Sequence, residues 1–170
     1  MTKYTCAFFT MLAGVLLLAP AVRAQSWSTA GSTCQPSSDN TFNEAYSFNA
    51  ATFQFASGWT GTIRARCPVN NPLDMGVPTW KTLGAGYNDP DGTGLNYEVQ
   101  VQLVKVARST GVYTTIATFD SNSYGAGSQY HTKPFSETFD FTKNAYWVTI
   151  IVSRSDENNS PGVWFASLSN

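Results

Sequence analysis

Three segments of the chain place apolar side chains at every second position, and this pattern constrains the fold more than any other feature. They are residues 63–69, 97–103 and 146–152. A period of two puts the apolar side chains on one face of a β-strand, whereas a helix would need a period of 3.6. No segment after the N-terminal region shows a helical stripe. The pattern therefore predicts an all-β protein.

Weaker patterns predict further strands, and turn residues separate them. Ser109, Thr110 and Gly111 indicate a hairpin turn between two strand patterns. Residues 121–127 read as a loop that is too short to link two domains. Short strands with regular turns are typical of an antiparallel β-sandwich, either a jelly roll or immunoglobulin-like. The weaker strands are predicted at 45–48, 52–56, 80–87, 112–119, 135–141 and 162–168.

The N-terminus has the three parts of a cleavable signal peptide. Lys3 provides a positive charge, residues 7–19 are almost wholly apolar, and Pro20 interrupts them. Val22-Arg23-Ala24 then fits a cleavage site. The apolar run is shorter than the roughly 20 residues that a membrane-spanning helix needs. We therefore predict a signal peptide at residues 1–24 and a secreted or periplasmic protein without a membrane span in its mature chain.

The mature chain, residues 25–170, has the length of a single domain. Loss of Lys3 and Arg23 takes the 10 basic residues to 8 against 11 acidic, so the formal net charge becomes −3. No cluster of Lys and Arg is present, which argues against nucleic-acid binding. We therefore predict one all-β domain that does not bind nucleic acid.

Two cysteines remain after cleavage, because Cys6 lies in the signal peptide. Cys34 and Cys67 form an even pair in a chain predicted to be exported, which is typical of a disulfide. The spacing does not fit a metal or redox site, since there is no Cys-x-x-Cys and no further thiol.

Several short motifs resemble those of a family of small exported bacterial proteins of unknown function. They are the early Cys34, the segment 63–69 that contains Cys67-Pro68, the turn Asp89–Gly94, and residues 135–141 before the strand pattern 146–152. The resemblance implies a β-sandwich with a Cys34–Cys67 bridge and a bacterial source. It implies no activity and no catalytic residues.

Catalytic constellations are poorly supported. His131 is the only histidine, and no Gly-x-Ser-x-Gly elbow accompanies a serine, so a Ser-His-Asp site is not expected. Glu98, Glu137 and Asp140 are candidate carboxylates for glycoside hydrolysis, which needs a pair about 5–10 Å apart. Glu137 and Asp140 would point to opposite faces of a strand. The prediction is that the chain is not an enzyme.

One loop carries part of a calcium-binding pattern. Asp89, Asp91, Gly92 and Glu98 match positions 3, 5, 6 and 12 of a twelve-residue calcium loop. Tyr87 would occupy position 1 and cannot provide the usual carboxylate. The alternative is an ordinary Pro-Asp-Gly turn between two strands. Calcium through Asp89, Asp91 and Glu98 is kept as a hypothesis.

Aromatic residues outside the alternating apolar positions are candidates for a ligand-binding surface, because aromatic rings can stack on sugar rings. Trp147 and Ile151 share the second face of one strand, which suggests that this strand is buried on both sides and argues against a binding role there. The candidate ligand-binding residues are Trp27, Trp59, Tyr87, Tyr124 and Tyr130.

Three functions remain open on the sequence alone. The preferred one is an exported, non-catalytic module that binds carbohydrate, because the chain combines an export signal, spare aromatic residues and a weakly charged surface. The second is a structural or assembly subunit that associates with itself through strand edges. A polysaccharide hydrolase is the least supported.

Overall fold

A computed structural model describes residues 26–38, 45–71 and 76–170. These residues form eleven β-strands and two short 3-10 helices, at Gly31–Thr33 and Ser121–Ser123. The strands form two antiparallel sheets. In chain order they are β1 Trp27–Ala30, β2 Gln35–Pro36, β3 Tyr46–Asn49, β4 Thr52–Phe55, β5 Gly61–Val69, β6 Thr82–Asp89, β7 Tyr97–Ala107, β8 Tyr113–Asp120, β9 Gly127–Pro134, β10 Asn144–Arg154 and β11 Gly162–Ser169.

The two sheets enclose a single apolar core. One sheet has the strand order β3-β4-β11-β6-β9, with β1 also paired to β11, and the other has the order β2-β5-β10-β7-β8. Side chains of alternating positions from both sheets meet between them, such as Ala85 and Leu83 of β6 and Val148 and Ile150 of β10, all 0% exposed. The period of two in the sequence is therefore the inward face of each strand.

The predicted fold class is confirmed. The chain is an antiparallel β-sandwich, and the three strongest patterns coincide with β5, β7 and β10. The hairpin at residues 109–111 joins β7 to β8, where Gly111 has a φ of 71°. Cys34 and Cys67 form the predicted disulfide, with 33 residues of sequence separation.

The strand predictions differ from the structure at residues 135–141 and at β1, β2 and β9, which were not predicted. Residues 135–141 are not a strand, because this segment crosses from β9 of one sheet to β10 of the other and closes one end of the core. Phe139 is 1% exposed there and packs edge-on against Trp80. In contrast, β9 was not predicted, since it is an edge strand with mostly exposed side chains and shows no apolar alternation.

The other end of the sandwich is held by a buried cation. Arg154 is 4% exposed, and its guanidinium donates hydrogen bonds to the carbonyl oxygens of Trp59, Ala56 and Asn159. It also lies 4.6 Å from the centre of the Phe55 ring. Burial lowers the pKa of Arg154 from its usual value. The three carbonyls thus satisfy a charge that would otherwise be costly to bury.

The predicted signal peptide, residues 1–24, lies outside the described residues. In the part of the chain that is described, no helix has the length and apolar character needed to cross a membrane.

Candidate functional site

The outward face of the five-stranded sheet carries rows of polar and apolar side chains in register. Thr149 in the central strand β10 lies opposite Arg66 of β5 and Gln102 of β7. Two residues further along, Ile151 lies opposite Arg64 and Gln100. The inward positions of the same strands are fully buried, so these residues form the open face of the sheet.

Trp147 is at the centre of this face. It lies opposite Pro68 of β5 and Val104 of β7, and its indole Nε1 donates a hydrogen bond of 3.0 Å to the Thr149 hydroxyl. That bond fixes the indole along β10. Trp147 and Ile151 are both half-buried with one side open. The prediction that this strand is buried on both sides was therefore wrong, since none of the described strands and helices covers the outward face.

A β-bulge brings a second ring to this face. The pairing of β7 with β8 shifts by one residue, so Leu103 pairs with Ala117 but Val104 pairs with Thr115. The skipped residue, Ile116, reverses the direction of the side chains that precede it. As a result, Thr115 and Tyr113 point to the same face as Trp147. Tyr113 is 72% exposed.

These side chains line a shallow groove of about 350 Å³. Its apolar surface can contact the C–H face of a ring-shaped ligand, because aromatic faces are electron-rich and C–H groups are weakly positive. Its amides, hydroxyls and guanidinium groups can form hydrogen bonds to ligand oxygens. The lining contains two arginines and no acidic residue. It consists of Arg64, Arg66, Gln102, Val104, Tyr113, Thr115, Trp147, Thr149 and Ile151.

The open face continues towards the Asp89–Asn96 loop. Thr62, Ser153 and Glu98 form the next row, and the Thr62 and Ser153 hydroxyls are 3.0 Å apart. They contribute to a second depression of about 600 Å³, beside which Leu95 is 93% exposed. From Trp147 to Ser153 the face is ~20 Å long, at about 3.3 Å per residue of strand. It can therefore accommodate an extended ligand.

The five aromatic residues predicted as ligand-binding do not share one surface. Tyr87 is 0% exposed, so its assignment to a ligand surface was wrong; it points into the core, where it packs against Phe119. Burial, followed by the nearby Asp89 charge, raises the pKa of Tyr87 to about 12. Trp27 and Trp59 are half-buried and pack against the core.

Tyr124 lies between the two sheets, stacked on Phe119 of β8 and His131 of β9, whereas Tyr130 lies on the outward face of the six-stranded sheet. Tyr124 is half-buried and stacks on His131, with ring centres 3.8 Å apart. His131 also bonds to the Gln129 side chain, so the histidine belongs to a packed cluster. Tyr130 is 50% exposed on the outward face of β9. Among the five predicted rings, Tyr130 has the most accessible position described by the structure.

The Asp89 carboxylate is fully buried at the end of β6. It accepts hydrogen bonds from the Ser121 hydroxyl and from the backbone amides of Asp91 and Gly92. The Ser121 hydroxyl oxygen in turn accepts a bond from the Val99 amide of β7. Burial raises the pKa of Asp89 above its usual value of 3.8, although the bond from Ser121 opposes the rise. Asp89 therefore links the two sheets.

Asp91 and Glu98 are engaged separately. Asp91 Oδ2 accepts the Asn96 amide at 2.9 Å, and Glu98 Oε1 accepts the Gln100 side-chain amide at 2.7 Å. Over residues 26–38, 45–71 and 76–170, no group of three or more His, Cys, Asp or Glu side chains is arranged to hold a metal ion. Asp91 lies in the loop between β6 and β7, where Gly92 has a φ of 61°, whereas Glu98 belongs to β7.

The remaining candidate carboxylates have structural partners. Glu137 forms an ion pair of 3.0 Å with Lys105. Asp140 accepts bonds from the Thr142 hydroxyl and from the amides of Thr142 and Lys143, and the hydroxyl bond is the main reason that the pKa of Asp140 is lowered. Both lie in the segment that precedes β10, away from the groove that contains Trp147.

Sequence reasoning missed the groove residues for identifiable reasons. Arg64, Arg66 and Gln102 occupy the polar positions of strongly alternating strands, which read as an ordinary solvated face. Their clustering beside Trp147 depends on the order β5-β10-β7, which the sequence does not reveal. The sequence signal that could have indicated the groove was Trp147, a large aromatic residue at an outward position of its strand, where polar residues are expected.

Comparisons with known proteins give the fold. No protein-family model and no curated protein matches the sequence. The structure is similar to that of the xylan-binding module CBM15, with a TM-score of 0.51 and 10% identity over 85% of this chain and 95% of that chain. At this identity the likeness shows the β-sandwich fold alone.

Two other solved structures have a TM-score of 0.44. One is a low-affinity xylan-binding module, CBM86, from Roseburia intestinalis, at 10% identity over 85% of this chain and 95% of that chain. The other is the CBM36-1 domain of a multidomain xylanase from the hindgut metagenome of Trinervitermes trinervoides, at 9% identity over 86% and 98% of the two chains. These weaker likenesses add no argument.

Proposed function

We propose that this protein is an exported, non-catalytic module that binds polysaccharide through the open face of the five-stranded sheet. The observation that carries the proposal is the position of Trp147 and Tyr113 on one open groove, with Gln102, Thr149 and the two arginines around them. The first ring is fixed by a hydrogen bond and the second is exposed. Aromatic and polar groups in this combination suit a sugar ring, which has apolar C–H faces and hydroxyls at its edge.

The fold supports the same proposal. The solved structure with a TM-score of 0.51 is a module that binds xylan. Fold alone does not imply function, so the argument rests on the groove. A disulfide is typical of proteins outside the reducing cytosol, and it supports export to a place where polysaccharides are found.

The groove also suits a chain rather than a small molecule. It is shallow, and the open face extends for ~20 Å along β10 into the second depression near Leu95. Hydroxyls and amides are present along the whole length. Binding to the interior of a polysaccharide chain, over several sugar units, is therefore expected.

The proposal is tested by affinity electrophoresis of residues 25–170 in gels that contain xylan, mixed-linkage β-glucan, mannan or pectin. Retardation in at least one gel is expected, together with its reduction in Trp147→Ala. Phe48→Ala is a matched control, because Phe48 is 44% exposed but lies outside the groove. Migration that no polysaccharide changes would contradict the proposed function.

Calcium is a secondary proposal at the Asp89–Asn96 loop. Its support is a pair of side-chain oxygens, Asp91 Oδ1 and Asn122 Oδ1. Both are buried, and neither has a hydrogen-bond partner among the described residues. Asp89 and Glu98, the other two predicted ligands, already accept protein hydrogen bonds. Calcium should raise the midpoint of thermal unfolding and a chelator should reverse the rise. An unchanged midpoint would exclude a calcium site that stabilises this loop.

A further inference from the structure

The outward face of the six-stranded sheet, on the opposite side of the sandwich, carries aromatic rings that lie on glycines. Gly84 and Gly86 occupy outward positions of β6, and Tyr130 of β9 and Phe165 of β11 both lie opposite Gly86. A Cβ at Gly84 would be 2.7 Å from the Tyr130 hydroxyl, and one at Gly86 would be 2.6 Å from Phe165 Cδ1. The rings therefore reach over the bare backbone of β6.

These rings form one surface across the strand. Tyr130 and Phe165 stack with their centres 5.4 Å apart and their planes 20° apart. Trp164 is the residue at which the pairing of β11 with β6 shifts, and its indole Nε1 reaches the space above Gly86. We call Tyr130, Trp164 and Phe165 the aromatic platform. Glycine in a strand often marks a close approach of this kind.

The surroundings of the aromatic platform are polar but uncharged. The outward positions of all the described strands of this sheet contain no Asp, Glu, Lys, Arg or His. The five-stranded sheet differs, because its outward face carries Arg64 and Arg66. The polar residues nearest to the platform on paired strands include Gln54, Asn88, Ser128, Thr132 and Ser167.

The polar atoms of two rings are available to a ligand. Neither the Tyr130 hydroxyl nor the Trp164 Nε1 makes a hydrogen bond within residues 26–38, 45–71 and 76–170, and the Trp164 Nε1 is not fully buried. Tyr130 is 50% exposed. The platform thus offers flat apolar rings with a free donor on each of two of them.

We propose that the aromatic platform is a second polysaccharide-binding site, selective for a chain of uncharged sugars. The rings would contact the C–H faces of the sugars, and the Tyr130 and Trp164 donors would bond to their hydroxyl or ring oxygens. A charged polymer would find no compensating charge on this face, so it would bind less well. A uniformly uncharged face fits a ligand that is itself uncharged and rich in hydroxyls.

Two sites on opposite faces make the molecule bivalent. The groove and the aromatic platform are on opposite sides of the core, so one polysaccharide chain cannot occupy both faces without wrapping around an edge. Two chains can be held at the same time, which would cross-link them. A multivalent contact also raises the apparent affinity for a fibre without any new interaction at either site.

The test is titration of residues 25–170 with soluble neutral arabinoxylan, followed by calorimetry and by the viscosity of the polysaccharide. Wild type should bind two chain segments per protein molecule and raise the viscosity. Trp147→Ala, which affects the groove, and Tyr130→Ala with Trp164→Ala, which affects the platform, should each leave one segment and abolish the viscosity rise. Replacement of all three residues should abolish binding.

The outcomes separate this inference from the proposed function. Loss of all binding in Trp147→Ala would show that the platform binds nothing, and the groove would remain the proposed site. Full binding in Trp147→Ala, with no binding in the platform variant, would instead overturn the groove and leave the platform. A protein dimer that dissociates in the platform variant would also overturn the inference, because a second copy would then cover the rings. Tyr130→Phe in the Trp147→Ala background keeps the packing and should lower the remaining affinity about 5- to 10-fold, as loss of one hydrogen bond predicts.

Discussion

The disulfide should contribute a large part of the stability while leaving the groove intact. Cys34 follows the first 3-10 helix, and Cys67 lies within β5, beside the groove residue Arg66. Both sulfur-bearing residues are almost fully buried. The bond therefore attaches the N-terminal segment to β5, next to the short edge strand β2. The double variant Cys34→Ala with Cys67→Ala removes this bond.

The magnitude follows from the length of the closed loop. A separation of 33 residues closes a loop of about 34, for which the chain-entropy relation gives about 3.8 kcal/mol at 25 °C. The mature chain of 146 residues has an unfolding entropy of about 0.31 kcal/mol/K, at about 2.1 cal/mol/K per residue. The midpoint of thermal unfolding should therefore fall by about 12 °C.

The assay is calorimetric unfolding of the double variant and of wild type with and without reductant. Reduction of wild type should reproduce the shift of the double variant, since both open the same loop. Binding at 10 °C should be unchanged, because nine residues of β5 remain paired with β10. A shift smaller than about 3 °C would refute the reasoning, as it would mean that the unfolded chain gains little freedom.

Three further predictions concern the groove, the buried carboxylate and export. In the Tyr130→Ala, Trp164→Ala background, which leaves only the groove, Trp147→Ala should weaken polysaccharide binding roughly 30- to 700-fold, the range for removal of a central aromatic contact worth about 2–4 kcal/mol, and calorimetry that shows less than a threefold loss would contradict it. Because the pKa of Asp89 is raised, the folded state binds the carboxyl proton more tightly than the unfolded state does. The protonated carboxyl therefore adds to the free energy of unfolding at low pH, and this contribution is lost as pH rises from 3.8 through the raised pKa. Urea unfolding of Asp89→Asn should lack this decline, and parallel pH curves for the two proteins would count against it. Mass spectrometry of the protein recovered outside the cytoplasm should give Gln25 as the first residue, whereas an intact N-terminus would rule out cleavage after Ala24.

The sequence predicted the strands whose two faces differ most in polarity. β5, β7 and β10 are central or nearly central strands with one face in the core, so their period of two is clear. β9 has no such contrast, because it is an edge strand whose side chains are mostly exposed. Residues 135–141 alternate between apolar and polar side chains but do not form a strand. Their Phe side chains pack into one end of the core from an irregular segment.

The candidate site was harder to predict because it depends on strand order and on one bulge. The candidate rings were aromatic residues outside the alternating apolar positions or in loops, but Tyr87 is in the core, and Trp59 packs against the core while its carbonyl accepts a hydrogen bond from Arg154. Tyr130 is 50% exposed, and the neighbouring rings Trp164 and Phe165 were assigned to a weak strand and not to a ligand surface. Regular alternation from the buried Phe119 and Ala117 would place Tyr113 in the core. The bulge at Ile116 brings Tyr113 to the surface instead.

The shift at Ile116 also makes the length of β8 a means of changing the groove. A one-residue deletion at the hairpin end of β8 that is taken up by loss of the bulge would pair Val104 with Ile116 and Val106 with Thr114, so that Tyr113 and Thr115 would turn towards the core and Thr114 would replace the ring on the open face. The central strands and the disulfide would not change. Insertions and deletions in this edge strand therefore give evolution, or a protein engineer, a way to exchange the ligand-contacting residues of the groove as a set, without altering the residues that determine the fold.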